Sequence, residues 1–348
     1  MNPLEQAILR TVAYFDMFSY PLTAWEVWKW GFASVIASPA AAGRGNLVDT
    51  AQSKIAPAGL GFAEGDGGQV VVATPRNDNV YSYRAVEEGL VKSPLLQEKL
   101  QQQSGFYFLK GQQGIVATRQ GRYRLALLKF GRAKKFARVL ARLPFVRAVA
   151  VCNSLATSNA RAESDIDVFI ITSPGHVWTA RLFAAGWAQL RKLRPQVGNR
   201  ADKVCLSFFI TQDVGDLRAV RNADDPYFTM WLATLVPLYD PQGLLEKLWQ
   251  ANPWAAAALP NAAPRAIAEQ RRLRALFVQP MLEALVASAW FERWAERFQQ
   301  QRLPPALRTL ANQDTRVVLN NTMLKFHDND RRDEYARQFR ARCAALGI

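Results

Sequence analysis

The sequence predicts an α+β (mixed) protein: a small mixed sheet with flanking helices, an N-terminal helical module and a helical C-terminal region. Three observations carry this. Short apolar runs of strand character stand at 147–152, 168–171 and 203–210. Stretches of helical period separate and follow them. Two aspartates, Asp165 and Asp167, lead into the second apolar run at i and i+2. With 348 residues and 49% apolar content, the chain has material for two or three domains with real cores. The divisions fall at 1–120, with an irregular insertion at about 34–80, then 121–250, then 251–348.

At the start, Leu4, Ile8, Val12 and Phe15 repeat at helical spacing until Tyr20-Pro21 breaks the run. Thr23 and Glu26 form a capping-box pair for a second helix, Ala24 to about Phe32. The insertion is rich in Ala, Gly and Pro, with one strand-like run at 69–74. A third helix runs from Tyr83 to Val91 and resumes at 95–102, where Ser93 offers a cap and Pro94 fits the first helical position. Residues 105–111 and 114–117 read as a hairpin. Helices followed by a hairpin are similar to a winged helix-turn-helix domain. That likeness implies that Tyr81 to Lys92 lies near a DNA major groove, with Lys110 on the wing. Only Arg84 and Lys92 are basic on that helix, and Glu87 and Glu88 oppose phosphate, so an interaction module is the other reading.

Residues 122–142 read as a basic helix with Leu125, Leu128, Phe136, Val139 and Leu140 as its apolar side. Further helices are expected at 178–194 and, with a break at Pro280, at 266–302. Trp290, Phe291, Trp294 and Phe298 recur at helical spacing and are expected in a core. Near the end, Asp330 is expected to cap a helix from Arg331 to Leu346, although His327 and the Arg331-Arg332 pair also offer a base or a phosphate contact.

The run Cys152-Asn153-Ser154, followed by Ser164-Asp165-Ile166-Asp167 and Val168-Phe169-Ile170-Ile171, carries the chemistry. Two carboxylates two residues apart on a strand point to the same side and can share a hard divalent cation. A strand ending at Cys152 and a helix opening at Ser154 offer backbone N–H groups to a phosphate. These residues resemble the DNA polymerase β-like (minimal) nucleotidyltransferase superfamily: apolar residue, Gly, Gly or Ser, a short gap, then Asp-x-Asp in an apolar strand. The resemblance covers 147–172 and departs twice. Asn153 stands at the usual Gly position; Asn is the next-best residue for a left-handed turn. The third carboxylate that active members carry on a neighbouring strand has no counterpart within 203–210, leaving Asp202 or Asp213 at its ends, with Asp202 preferred.

The resemblance implies metal-dependent transfer of a nucleoside monophosphate from an NTP to an acceptor hydroxyl. Asp165 and Asp167 are expected to hold Mg²⁺ (or Mn²⁺), Asp202 to complete the acids, and Asn153, Ser154 and Arg161 to meet the nucleotide. The alternative is a catalytically weak or inactive relative serving as a DNA-binding regulator or nucleotide sensor.

Charge and composition narrow the partners. The net charge is +15, and the basic 99–162 region holds thirteen Lys and Arg with no acid, a field that attracts NTP, DNA or RNA phosphates. Three widely spaced cysteines exclude a disulfide framework and a zinc site, and Cys152 and Cys205 are expected as buried small hydrophobes. Two histidines exclude a His-based metal site. No apolar run is long enough for a membrane span, and the expected location is cytoplasmic.

Overall fold

The apolar strands predicted from sequence come together as one mixed sheet in the computed structural model, which describes residues 1–33, 81–196, 198–265 and 278–348. The expected insertion and the first third of the helix at 266–302 lie outside the described residues.

The N-terminal module consists of α1 (Pro3–Asp16), β1 (Leu22–Thr23), α2 (Ala24–Lys29), α3 (Tyr83–Lys92), α4 (Pro94–Lys99), β2 (Leu100–Gln103) and β3 (Phe106–Leu109), its strands ordered β1-β3-β2. Local chemistry accounts for the helix starts. Thr23 and Glu26 complete the expected capping box, and Ser93 caps α4 with Pro94 behind it. The hairpin is displaced from its expected place. Its turn is Ser104-Gly105, both at positive φ, so residues 100–103 are strand rather than helix. Gln101 to Gln103 are exposed, as an outer strand permits.

Gly114 then opens α5 (Ile115–Leu140), so Ile115 and Val116 begin a helix instead of a second hairpin arm. Helix α5 buries Ala126, Lys129, Ala133, Phe136, Ala137 and Leu140, while Leu128 is 66% exposed. The sheet is built from β4 (Val146–Val151), β5 (Ile166–Thr172), β6 (Val204–Thr211), β7 (Val236–Tyr239), β8 (Val317–Leu319) and β9 (Met323–Phe326), ordered β7-β4-β5-β6-β9-β8. Only β5 and β6 run parallel; the other neighbours are antiparallel. Between β4 and β5 lies α6 (Asn153–Ala156), and between β5 and β6 lies α7 (Val177–Leu190). Helices α8 (Pro226–Thr234), α9 (Leu244–Gln250) and α10 (Pro253–Ala258) follow, then α11 (Val278–Val286), α12 (Ala289–Gln301), α13 (Pro305–Leu310) and α14 (Arg332–Leu346).

Period-2 alternation sorts the strands into two faces. Val149, Val151, Val168, Ile170, Leu206 and Phe209 pack with residues of α5, α7 and α12. Ala148, Ala150, Phe169, Ile171, Phe208 and Ile210 pack with Phe228, Trp231 and Leu232 of α8 and with α9. A register shift between Asp167 and Phe169 brings Phe208, not Phe209, to the α8 side.

The C-terminal region is not the separate helical domain expected. Strands β9 and β8 extend the six-stranded sheet beyond β6, and α14 packs on α1 and α8. Met323, Leu324 and Lys325 match the alternating pattern too briefly to stand out against their polar flanks. Trp290 and Trp294 are 66% and 40% exposed, against expectation, because α12 turns Ala295 and Gln299 toward α7. Glu292 of the same helix accepts hydrogen bonds from Trp178 N (2.8 Å) and Thr179 N (2.9 Å), serving as a long-range cap for α7. Glu292→Ala is therefore expected to cost about 1–2 kcal/mol, read as a lowered denaturant midpoint at unchanged slope. A shift below about 0.3 kcal/mol would show that water caps the helix equally well. No described helix is long and apolar enough to cross a membrane.

Candidate functional site

The sequence pattern of strand, turn, gap and paired acids converges at one end of β4, β5 and β6. Asn153 adopts φ +57°, the left-handed conformation reserved for a Gly in the motif, and starts the single turn α6. Its side chain stands between two elements: Oδ1 accepts the Tyr227 hydroxyl proton at 3.2 Å, and the amide lies close enough to the Asp167 carboxylate to favour its charged form.

Asp165 and Asp167 do face the same side. Each offers a carboxylate oxygen, and Cys205 its Sγ, within 4.8 Å of one another. Cys205 is the β6 partner of Asp167 in the parallel ladder, so strand register alone places it there. Burial, then the negative charge of Asp165, pushes the Asp167 carboxyl up to about 6, against the opposing hydrogen bonds from Asn153 and Cys205. Burial, then Asp167, also raises the Cys205 thiol, so it is neutral in the unliganded protein. Asp165 is held from outside by Arg200, whose Nη2 donates to Oδ2 at 2.9 Å.

Two expected site residues are placed elsewhere. Asp202, the preferred third acid, is bonded to Lys129 Nζ at 2.9 Å and to Arg132, and is absent from the Asp165–Asp167–Cys205 group. The reason is local. Asp202 takes a left-handed turn (φ +61°) before β6, and Lys129, only 2% exposed, also collects the carbonyls of Ala162 and Ser164. Asp202 thus fixes the loop before Asp165 instead of joining its carboxylate. Asp213 is exposed beyond the opposite end of β6. Arg161 is exposed on the loop and touches Ser164 Oγ through its backbone N–H, with no side-chain bond to the acids. Ser154 is half-buried beside Asn153, and its carbonyl accepts Asn159 N at 2.8 Å.

Cys205, expected as a buried small hydrophobe, is only partly buried and stands within the acid group. Alternation along 203–210 puts Cys205, Ser207 and Phe209 on one face; the register shift against β5 instead sends Phe209 to the α7 face and sets Cys205 opposite Asp167. Ser207 Oγ lies 3.1 Å from Nε2 of His327, a residue that arrives just beyond β9. Burial, then the nearby Lys325 charge, drives the His327 imidazole down to about 3, so it is neutral at ordinary pH. Asp330 accepts from the backbone and guanidinium of Arg332 and from Lys325, so it is an ion-pair centre; the cap position itself belongs to Arg331.

Two clefts adjoin the turn. One, about 170 Å³, includes Asn153, Tyr227, His327, Lys325 and Arg331 in its lining. The other, about 260 Å³, lies between α1 and the sheet module and includes Asn153, Ser154, Tyr14, Phe18, Tyr227 and Tyr335. With this geometry in hand, comparison with known proteins adds no relative. The chain matches no family model, no curated protein and no solved structure.

Part of the basic region is paired internally. Arg119 pairs with Glu26, Arg147 with Glu283, and Lys129 and Arg132 with Asp202. On α3, Arg84 and Lys92 both pair with Glu88.

Proposed function

We propose that the protein is a metal-dependent nucleotidyltransferase, moving a nucleoside monophosphate from an NTP to an acceptor hydroxyl. The observation that carries this reading is the approach of Asp165, Asp167 and Cys205 beside a left-handed turn at Asn153 and the half-buried Ser154. The donor set fits a divalent cation that accepts mixed oxygen and sulfur ligands, so Mn²⁺ suits it better than Mg²⁺. Such an ion, when bound, neutralises charge on the triphosphate and the departing pyrophosphate.

The chain's own residues supply the rest. The Asn153 amide favours the charged form of the Asp167 carboxylate, and Tyr227 in turn fixes that amide. Arg200 steadies Asp165 and lies beside the acids, where a guanidinium suits a phosphate oxygen. Ser154 and the backbone N–H groups after Asn153 offer donors to the phosphates. Lys129 and Asp202 hold the loop that delivers Asp165.

The test is transfer of label from an α-³²P-NTP in Mn²⁺ or Mg²⁺. Asp167→Asn is expected to lower the rate at least about 10³-fold, as loss of a group that acts in the transition state does. Persistent labelling in this variant removes the acids from the mechanism.

The module topology favours a second reading, a winged-helix regulator whose sheet domain senses a nucleotide, because the α1-β1-α2-α3 order and the β1-β3-β2 sheet fit a winged helix. Glu87 and Glu88 balance Arg84 and Lys92 on α3, which weighs against DNA contact by that helix. A steep salt dependence of duplex binding without pyrophosphate release would favour it.

A further inference from the structure

The 260 Å³ cleft has features of a built ligand site rather than a packing fault. Tyr14 lines it from α1 and is 3% exposed, yet its hydroxyl makes no hydrogen bond with any described residue. Tyr335, from α14, and Ser154, from the turn, bring two further hydroxyls to the same lining, again with no bond to a described residue.

The walls are aromatic. Tyr227 and Tyr335 stack with centroids 5.0 Å apart, and Phe18 lies 5.2 Å from Tyr335 and 6.1 Å from Tyr227. No charged residue is among its described lining, whereas the neighbouring cleft includes Lys325, Asp330, Arg331 and Arg332. A group that enters is therefore neutral, flat enough to lie on aromatic rings, and rich in hydrogen-bonding atoms. It also neighbours the acids, because Asn153 and Ser154 line the cleft and the Asn153 amide acts on the Asp167 carboxylate.

We infer that this cleft takes the nucleoside part of the donor nucleotide, its base against the aromatic wall and its polar atoms on the hydroxyls of Tyr14 and Tyr335. The inference rests on the transferase reading for the word donor, but the nucleoside site stands on the cleft alone. It assigns the N-terminal module a share in substrate binding through α1. In this arrangement the triphosphate leaves the cleft past Ser154 toward Asp165 and Asp167.

The experiment titrates the full chain with the four common ribonucleosides and their NTPs, without divalent metal, by calorimetry. It uses wild type, Tyr14→Phe, Tyr335→Phe, the double variant and Asp167→Asn. Phenylalanine keeps ring and volume, so unfolding is not expected, and circular dichroism verifies this. At least one nucleoside is expected to bind wild type and Asp167→Asn equally, and about tenfold more weakly in the double variant. Its NTP is expected to compete with it. Equal nucleoside affinity in wild type and the double variant overturns the inference, as does binding of nucleoside and NTP together. Nucleoside binding without any label transfer refutes the transferase and leaves the site. Transfer with an NTP KM unchanged in the double variant does the reverse.

Discussion

Arg332→Met is expected to remove about 3–5 kcal/mol of stability, because it strands buried carboxylates. The Arg332 side chain is 5% exposed, and those of its partners Asp225 and Asp330 are 0% and 8% exposed. Its guanidinium donates to Asp225 and to Val220 O, both at 2.8 Å, to Asp330 at 2.8 Å, and to Thr315 Oγ1 at 2.7 Å. One side chain thus joins α14, the cap of α8 and the approach to β8. Asp330 is held below its ordinary value by Arg332 and Lys325 against burial; Asp225, deeper, is raised by burial in spite of Arg332. Without Arg332 both folded-state values rise, so each stabilises only while protonated and loses that contribution as pH climbs. The deficit should be largest near pH 7 and shrink toward pH 4–5, where the unfolded carboxylates also take up protons. Urea titrations at both pH values measure it. A loss under about 1 kcal/mol at pH 7 would mean that water or Lys325 replaces the guanidinium.

Cys205→Asp is expected to convert the group to three carboxylates and raise Mg²⁺ affinity about tenfold, some 1.4 kcal/mol. The thiol is a soft ligand, protonated in the unliganded state by burial and by Asp167, so Mg²⁺ gains little from it. The side chains differ little in size, so the substitution is tolerated sterically. Metal titration calorimetry of the protein alone reads it, with Mn²⁺ and Cd²⁺ as controls. Cd²⁺ binding should weaken while Mg²⁺ binding strengthens. An unaltered ratio would show that Sγ does not reach the ion.

The site was legible in sequence as far as local rules extend. Asn153 accepts the turn because its side chain tolerates positive φ, and the Asp165–Asp167 spacing puts both acids on one side. Partnerships between distant segments were not legible. Asp202 is close in sequence to β6, but Lys129, 73 residues earlier, claims it. Cys205 was read as buried because thiols usually are, and only the β5–β6 register puts it opposite Asp167. Apolar pattern makes Phe106 to Leu109 look like the first hairpin arm, whereas the mostly polar Leu100 to Gln103 forms it. The exposed Trp290 follows the same logic: helical spacing defines a face, but not which face meets α7.

Strand β9 has a bearing on how the chain matures during synthesis. Phe208, Phe209 and Ile210 find their outer hydrogen-bond partners in Lys325, Leu324 and Met323, which emerge from the ribosome more than a hundred residues later. Until then the β6 edge offers unpaired amides on a strongly apolar segment, the situation that invites a chaperone or a neighbouring nascent chain. His327 follows directly on that late strand, so the Ser207 contact is completed only when the last segment docks. A ribosome-stalled or clipped product ending before residue 320 would therefore retain the aspartate pair and yet present a sticky open border.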